Sequence, residues 1–249
     1  MLNAFLEISD YISYYLAGTT RHGLHSPFVY TFADEVLYQS SNVNFEMIEH
    51  QRMLMLQSKS KLNHTSLSKF TSNFTLDAKY GKLLQRMVEF YKPQHILELG
   101  MNNGIESNYL LSNAIIQNEP ILSYNFVSNS NKIDKIKEHT NTEFANYYQS
   151  DMFENQYNTE LGTETYFDLC FIHGQPDADD FWKFYDNYKT RLHTHSMVIF
   201  TNIRHTNDHY INWQQITNLP EVTASIELFK MGIIFFRTEQ IKQKFILRY

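Results

Sequence analysis

The spacing of hydrophobic positions changes near residue 75 of the chain. Before that point, apolar side chains recur at helical spacing, and the apolar–polar alternation typical of strands is absent, which predicts helices over residues 3–17, 26–38 and 45–58. After it, short apolar runs alternate with helical stretches, the first of which ends before Pro93. The predicted strands are residues 95–99, 121–127, 144–149, 167–172 and 197–200, and the predicted helices that follow them are 104–113, 130–138, 178–190 and 208–218.

Short strands that alternate with helices are typical of a mostly parallel sheet covered by helices on both faces. The end of the chain differs, because residues 223–229 and 233–237 flank a tight Lys230-Met231-Gly232 turn and predict an antiparallel hairpin that closes the sheet. We therefore predict an α/β fold, a three-layer αβα sandwich with a seven-stranded sheet. Its predicted parts are an N-terminal helical extension over residues 1–74 and an α/β domain over residues 75–249.

Composition and charge exclude several classes of protein. The formal net charge is −6 and the 21 Lys and Arg residues are scattered along the chain, which argues against nucleic acid as a partner. The single cysteine, Cys170, excludes an intramolecular disulfide and fits a reducing, cytoplasmic setting. The first 17 residues carry Glu7 and Asp10 and no basic leader, so they predict an amphipathic helix instead of a signal peptide or membrane span.

A glycine turn follows the first predicted strand. The segment from His95 to Leu99 is a short apolar run containing Glu98, and Gly100 and Gly104 come directly after it. A strand that turns sharply into a helix presents backbone amides and the positive helix end to a ligand above the sheet edge. The spacing lacks the third glycine of a dinucleotide fingerprint and the lysine of a phosphate-binding loop, so it favours an adenosyl group with an amino acid over a pyrophosphate.

Polar residues follow the other predicted strands as well. In open parallel sheets, ligands bind at the carboxyl ends of the strands, so the residues in those positions are expected to meet at one edge. They are Gly100 to Gly104, Ser128, Asp151, His173, and Thr201 with Asn202. This edge is the predicted functional site.

The order of elements, the Glu98-x-Gly100-x-x-x-Gly104 turn and the terminal hairpin resemble the class I S-adenosylmethionine-dependent methyltransferases. Three further segments resemble a branch of that family common in Bacteroidetes, similar to small-molecule O-methyltransferases. They are RHGLHSPFV at residues 21–29, KYGKLL at 79–84 and LFKMGIIFFR at 228–237. The resemblance extends from near the start of the chain to its end and implies a Rossmann-like methyltransferase fold.

The resemblance also implies a cofactor, S-adenosylmethionine, and residues that bind it. Glu98, Gly100 and Gly104 match the positions that embrace its methionine part, and Asn102 lies in the same turn. Glycine allows close approach to the backbone, and the acid helps to hold the amino group of the cofactor. Asp151, in Ser150-Asp151-Met152, resembles the residue that meets the adenine edge in relatives.

Acidic residues that the family usually carries are missing after three of the predicted strands, the second, the fourth and the fifth. An acid at the end of the second strand usually accepts hydrogen bonds from the ribose, whereas here Ser128 and Asn129 follow Val127. A hydrogen bond from a hydroxyl to a neutral acceptor such as Ser128 is about 1 kcal/mol weaker than one to an ionised carboxylate. The fifth strand usually ends in paired acids that hold a divalent cation in catechol-type relatives, and here it ends in Thr201-Asn202.

The chain therefore lacks the carboxylate ligands that would bind Mg²⁺ at this position, and we predict no metal. After the fourth strand the usual aspartate is replaced by His173. The other histidines near the predicted fifth strand have spacings that fit no compact ligand motif. They are His193, His195, His205 and His209.

Methyl transfer requires alignment, exclusion of water and removal of a proton from the acceptor. His173 is the first candidate base because its side chain titrates near neutrality; the alternative is a histidine that replaces a lost aspartate and hydrogen-bonds locally. Asp177 is the second candidate, and its alternative role is the N-cap of the helix predicted from residue 178.

The predicted function is S-adenosylmethionine-dependent methylation of an unknown small-molecule acceptor, without a metal. The alternative is a catalytically inactive protein that keeps the fold as a binding or assembly module, since several acidic positions are lost. Nucleic acid and membrane are not expected as partners. A homodimer that pairs the C-terminal hairpins is the alternative to a hairpin inside the sheet.

Overall fold

An eight-stranded sheet forms the centre of the fold, with the strand order β3-β2-β1-β4-β5-β7-β6-β8. The structure is a computed structural model, and it describes residues 2–40, 44–61, 76–100, 104–116, 121–128, 145–149, 165–173, 179–239 and 241–249. The strands are β1 (His95–Leu99), β2 (Ser123–Ser128), β3 (Ala145–Gln149), β4 (Phe167–Ile172), β5 (Leu192–Thr201), β6 (Ala224–Leu228), β7 (Met231–Phe235) and β8 (Gln243–Ile246).

Seven α-helices are described in these parts of the chain. They are α1 (Leu2–Ala17), α2 (Pro27–Phe32), α3 (Glu46–Lys61), α4 (Ala78–Tyr91), α5 (Ile105–Ile116), α6 (Asp180–Tyr188) and α7 (Asn207–Ile216). A π-helical turn over Ala33–Leu37 continues α2. No helix in the described residues is both long and apolar enough to cross a membrane. The helix predicted over residues 130–138 lies outside the described residues.

The sheet confirms the predicted α/β fold and corrects its edge. Strands β1 to β5 are parallel, and β7 runs antiparallel to both β5 and β6. The prediction of seven strands was wrong, because β8 pairs in parallel with β6 and makes eight in the described residues. The hairpin therefore does not close the sheet; β8 covers its outer strand.

The turn of the hairpin also begins one residue earlier than predicted and ends two residues earlier. Leu228 pairs with Met231, so Phe229 and Lys230 form the turn. Gly232 lies inside β7, where a Cβ atom would meet the Trp213 ring at 2.6 Å. The glycine is therefore required by the close approach of an aromatic ring and not by the turn.

Hydrophobic side chains on the two faces of the sheet form two clusters. One face packs against α2, α3, α4 and α5, through residues such as Phe32, Ile48 and Leu83. The other face packs against α6 and α7, through residues such as Phe184 and Trp213. The three layers are those predicted, and the N-terminal helices share a core with the first face. The proposed boundary near residue 75 falls outside the described residues and stays a prediction.

The helix before β1 shows how the sequence sets element ends. Asp77 caps the N-terminus of α4, because its carboxylate accepts a hydrogen bond from the Tyr80 amide at 3.3 Å. The helix ends at Lys92, which has a left-handed backbone with φ 49° and precedes Pro93. Proline cannot continue the helix, so the chain leaves it and enters β1.

Candidate functional site

The carboxyl ends of β1, β2 and β4 meet at one edge of the sheet, as predicted. Leu99 pairs with Val127 of β2 and with Ile172 of β4. Beyond these pairs, the Gly100 amide donates to the Val127 carbonyl and the His173 amide donates to the Leu99 carbonyl, each at 3.0 Å. The glycine turn and His173 are therefore neighbours.

Both predicted glycines have a backbone that other residues rarely adopt. The φ angle is 71° at Gly100 and 73° at Gly104, and both residues are buried. Helix α5 begins at Ile105, directly after the second glycine. The N-terminus of a helix therefore lies at the edge where a ligand of this sheet would bind.

Glu98 lies at the centre of a buried hydrogen-bond network. The Ser107 hydroxyl is 2.9 Å from each of its carboxylate oxygens, and the Tyr124 hydroxyl also donates to it. His173 Nε2 is 2.5 Å from Glu98 Oε1. The side chain of Glu98 is 0% exposed and that of His173 is 3% exposed. The predicted cofactor acid and the predicted base are therefore bound to each other.

Helix α5 adds a second buried acid, Glu106, to this network. Its Oε1 accepts a hydrogen bond from the Leu76 amide at 2.9 Å, whereas Oε2 is buried and has no hydrogen-bond partner among the described residues. Burial raises the pKa of the Glu106 carboxyl, although the charge of His173 and the Leu76 amide act in the opposite direction. Sequence analysis missed Glu106, because an acid in the first turn of a helix is usually a solvent-exposed dipole partner.

The proton of His173 is held by its neighbours. Burial alone lowers the pKa of an imidazole, but the hydrogen bond to Glu98 and the charges of Glu98 and Glu106 outweigh it, so the pKa of His173 is raised. A general base must be neutral to accept a proton. The raised pKa favours the protonated form of His173, which cannot accept a proton from a substrate. Its role as base stays a prediction.

The remaining predicted residues are placed in part. Thr201 ends β5 on the same edge, and the amide of Asn202 donates to the Lys230 carbonyl at 2.7 Å, so this end is tied to the hairpin turn. Ser128 is the last residue of β2, opposite Gln149. Asn102, Asp151 and Asp177 lie outside the described residues, so their roles stay predictions.

The four histidines considered as metal ligands are divided between two ends of β5. His193 and His195 lie in its amino-terminal half, where His193 Nε2 is 3.1 Å from Asp168. His205 and His209 follow its carboxyl end, where His209 Nδ1 is 2.7 Å from the Thr206 hydroxyl. The described part of the chain holds no group of three or more His, Cys, Asp or Glu that could bind a metal ion.

Solved structures of low sequence identity have the same fold. An O-methyltransferase from Bacillus cereus, in complex with SAH, matches 84% of this chain and 97% of its own at 14% identity, with a TM-score of 0.57. The O-methyltransferase TomG from Streptomyces achromogenes, in complex with SAM, matches 82% of this chain and 96% of its own at 12% identity, with a TM-score of 0.59. SAH-bound methyltransferase PaMTH1 from Podospora anserina matches 80% and 100% at 12% identity, with a TM-score of 0.56.

No protein-family model and no curated protein sequence matches the chain. The structural similarity nevertheless defines the class of fold. The chain has the Rossmann-like fold of the class I S-adenosylmethionine-dependent methyltransferases, and the resemblance noted in its sequence is confirmed at the level of fold. At these identities the similarity establishes the architecture and not the activity.

Proposed function

We propose that the protein is an S-adenosylmethionine-dependent methyltransferase that acts on a small-molecule acceptor. The observation that carries this proposal is the glycine turn at the carboxyl end of β1. Gly100 and Gly104 both adopt a positive φ there, and α5 begins directly behind them. Two glycines next to a helix N-terminus leave room for a polar ligand that lies close to the chain. Neighbours of the same fold were solved with SAH or SAM bound.

The residues of the turn fit the methionine part of this cofactor. Gly100 and Gly104 would let it lie close to the backbone on either side of Asn102, and Ser128 and Asp151 would contact its ribose and adenine. When bound, the cofactor supplies an electrophilic methyl group on a sulfonium. The protein then has to align the acceptor, exclude water and take up its proton.

Proton removal is assigned to His173 or Asp177. His173 would perform it only after Glu98 releases its ring, because the imidazole is now bound to a carboxylate and its pKa is raised. Among the described residues no acid cluster follows β5 to hold a divalent cation. We propose that the reaction needs no metal, and full activity after chelation with EDTA is the expected result.

A second candidate function is a binding or assembly module without catalysis. The specific observation in its favour is the closed network of Glu98, Ser107, Tyr124 and His173. The acid predicted to hold the amino group of the cofactor is fully covered and already accepts hydrogen bonds from three side chains. A protein that had lost catalysis would keep such a network because it stabilises the junction between β1, β2, β4 and α5.

Calorimetric titration with S-adenosylmethionine and S-adenosylhomocysteine distinguishes the two functions. Micromolar binding to the unmodified protein, abolished in Gly100→Arg, supports the methyltransferase; no binding at millimolar ligand supports the module. Gly232→Ala is the matched control, because it also introduces a side chain at a crowded glycine but lies three strands away from β1 in the sheet. It is expected to bind both compounds with unchanged affinity.

Kinetic measurements on His173→Ala test the assignment of the base, once an acceptor is found by screening. A base acts in the transition state, so the variant should lose kcat while the affinity for the cofactor stays the same. An equal loss of both would make His173 a structural or cofactor-positioning residue.

A further inference from the structure

A cavity lies near the outer strand β8, and no described residue of the glycine turn lines it. It has a volume of about 520 Å³, and residues of α1, α4, the π-helical turn and the segment after β8 line it. A cavity of this size is within the range of small-molecule sites. Strand β6 runs in the same direction as β5, because β7 is antiparallel to both, and β8 is parallel to β6. The segment that follows β8 lines the cavity, so the cavity lies at the carboxyl-terminal end of these strands.

Positive charge and tyrosine rings dominate the lining of this cavity. Lys79, Arg86 and Arg248 contribute three cations from two separate parts of the chain, and no lining side chain among the described residues is a carboxylate. The protein as a whole carries a net charge of −6, so a cavity whose charged side chains are all cations differs from the average of the chain. The rings belong to Tyr11, Tyr15, Tyr38 and Tyr249.

Two of the cations form cation–π contacts with tyrosine rings. The Lys79 ammonium is 3.9 Å from the centroid of Tyr249, and the Arg248 guanidinium is 4.4 Å from the centroid of Tyr15. Neither side chain forms an ion pair with a carboxylate of the described residues. The guanidinium of Arg248 uses its Nε to donate to the Tyr15 carbonyl at 2.9 Å, and its terminal nitrogens make no hydrogen bond within the described parts of the chain.

The walls of the cavity are fixed by hydrogen bonds to the backbone. Arg86 Nε donates to the Val36 carbonyl at 2.6 Å, and Arg86 Nη2 is 3.1 Å from the Tyr249 hydroxyl. That hydroxyl in turn donates to the Lys79 carbonyl at 2.9 Å. A ligand would therefore meet cations and rings that are already oriented, which lowers the entropic cost of binding.

The electrostatics agree with this geometry. Burial lowers the pKa of the Lys79 ammonium, and the charge of Arg86 lowers it further, although Asp77 acts in the opposite direction. A bound anion would offset the repulsion between the two cations.

We propose that this cavity binds a small organic anion that carries a planar ring. The ring would stack among the tyrosines, and the anionic group would accept charge-assisted hydrogen bonds from Lys79 and Arg248. None of the described residues that line this cavity belongs to the predicted cofactor site, so this ligand does not occupy the proposed methyltransferase site.

Titration with phenyl phosphate, followed by ligand-observed NMR, tests the proposal without any measurement of methyl transfer. Inorganic phosphate has the charge without the ring, and phenol has the ring without the charge. We expect saturable binding of phenyl phosphate and roughly tenfold weaker binding of each of the other two. Absence of saturation up to about 10 mM phenyl phosphate, or equal affinity for all three, would overturn the proposal.

Two variants locate the site on the protein. Lys79→Met and Arg248→Met each remove one cation and keep an apolar stem, so each is expected to weaken phenyl phosphate binding by roughly tenfold. Lys82→Met is the control, since Lys82 lies on the same helix but is directed toward the Phe45 ring at 5.5 Å and does not line the cavity. Unchanged affinity in both test variants, or an equal loss in the control, would contradict the assignment.

Discussion

The buried His173–Glu98 pair predicts a specific dependence of stability on pH. The pKa of His173 is raised in the folded protein, so the native state keeps a proton that the unfolded chain releases near pH 6.5, within about a unit. The stabilisation is fully present below the unfolded pKa and is lost as pH rises through the folded pKa. The free energy of unfolding should therefore fall as pH rises above the unfolded pKa, with a slope of at most about 1.4 kcal/mol per pH unit for one proton.

Substitution of the imidazole isolates this contribution. His173→Gln keeps an amide donor near Glu98 but carries no titrating proton, so the slope contributed by His173 should disappear. The variant should also be less stable at pH 6, by roughly 3–5 kcal/mol, because Glu98 is 0% exposed and loses its charged partner. Tyr124 and Ser107 still donate to the carboxylate, which places the expected loss near the lower end of that range.

Urea denaturation followed by circular dichroism, repeated at several pH values between 6 and 8, measures this slope directly. His22→Gln is the matched control, because it removes an exposed imidazole outside the network and is expected to keep the slope of the unmodified protein. A flat profile in the unmodified protein, or an identical slope in His173→Gln, would refute the inference that Glu98 retains the proton on His173.

Three other substitutions test the packing and the ends of the elements. Gly232→Ala should lower the free energy of unfolding by roughly 1–3 kcal/mol, because its Cβ would meet the Trp213 ring at 2.6 Å; an unchanged urea midpoint would contradict this contact. Arg204→Met removes the 2.8 Å bond from Nε to the Glu227 carboxylate and leaves that carboxylate 8% exposed without its cation, so a loss of roughly 3–5 kcal/mol is expected in the same assay. Asp77→Ala removes the cap of α4 and should cost about 1 kcal/mol of thermal stability, whereas Asp77→Asn, which keeps a capping oxygen, should recover most of it.

Elements were predictable from the sequence where a continuous apolar run ends at a residue that breaks it. β1 and β4 have the predicted bounds, because Gly100 and His173 follow their last apolar residues. Strand β5 starts at Leu192, five residues before the predicted start, because its first part is a largely polar, partly exposed stretch without a continuous apolar run. Strand β8 was missed for a similar reason, since its four residues are exposed or only partly buried and show no apolar–polar alternation.

The candidate site was predictable in position but not in detail. Topology alone places the carboxyl ends of parallel strands at one edge, so the meeting of Gly100 and His173 followed from the order of elements. The pairing of Glu98 with His173 depends on the register, in which Glu98 is opposite Phe171 and His173 lies on the same face two residues on. The spacing of hydrophobic residues does not give the register between two strands or the side of the sheet on which a polar side chain lies. Helix propensity likewise does not show that the Glu106 side chain is buried.

A crystal structure of the protein grown with excess S-adenosylhomocysteine tests most directly whether the glycine turn holds the cofactor. The predicted result is ligand density above the carboxyl end of β1, with the amino acid part of the ligand against the backbone of Gly100 and Gly104. Density for the ligand elsewhere, or an unliganded turn with the bond between His173 and Glu98 intact at millimolar ligand, would contradict the proposed methyltransferase.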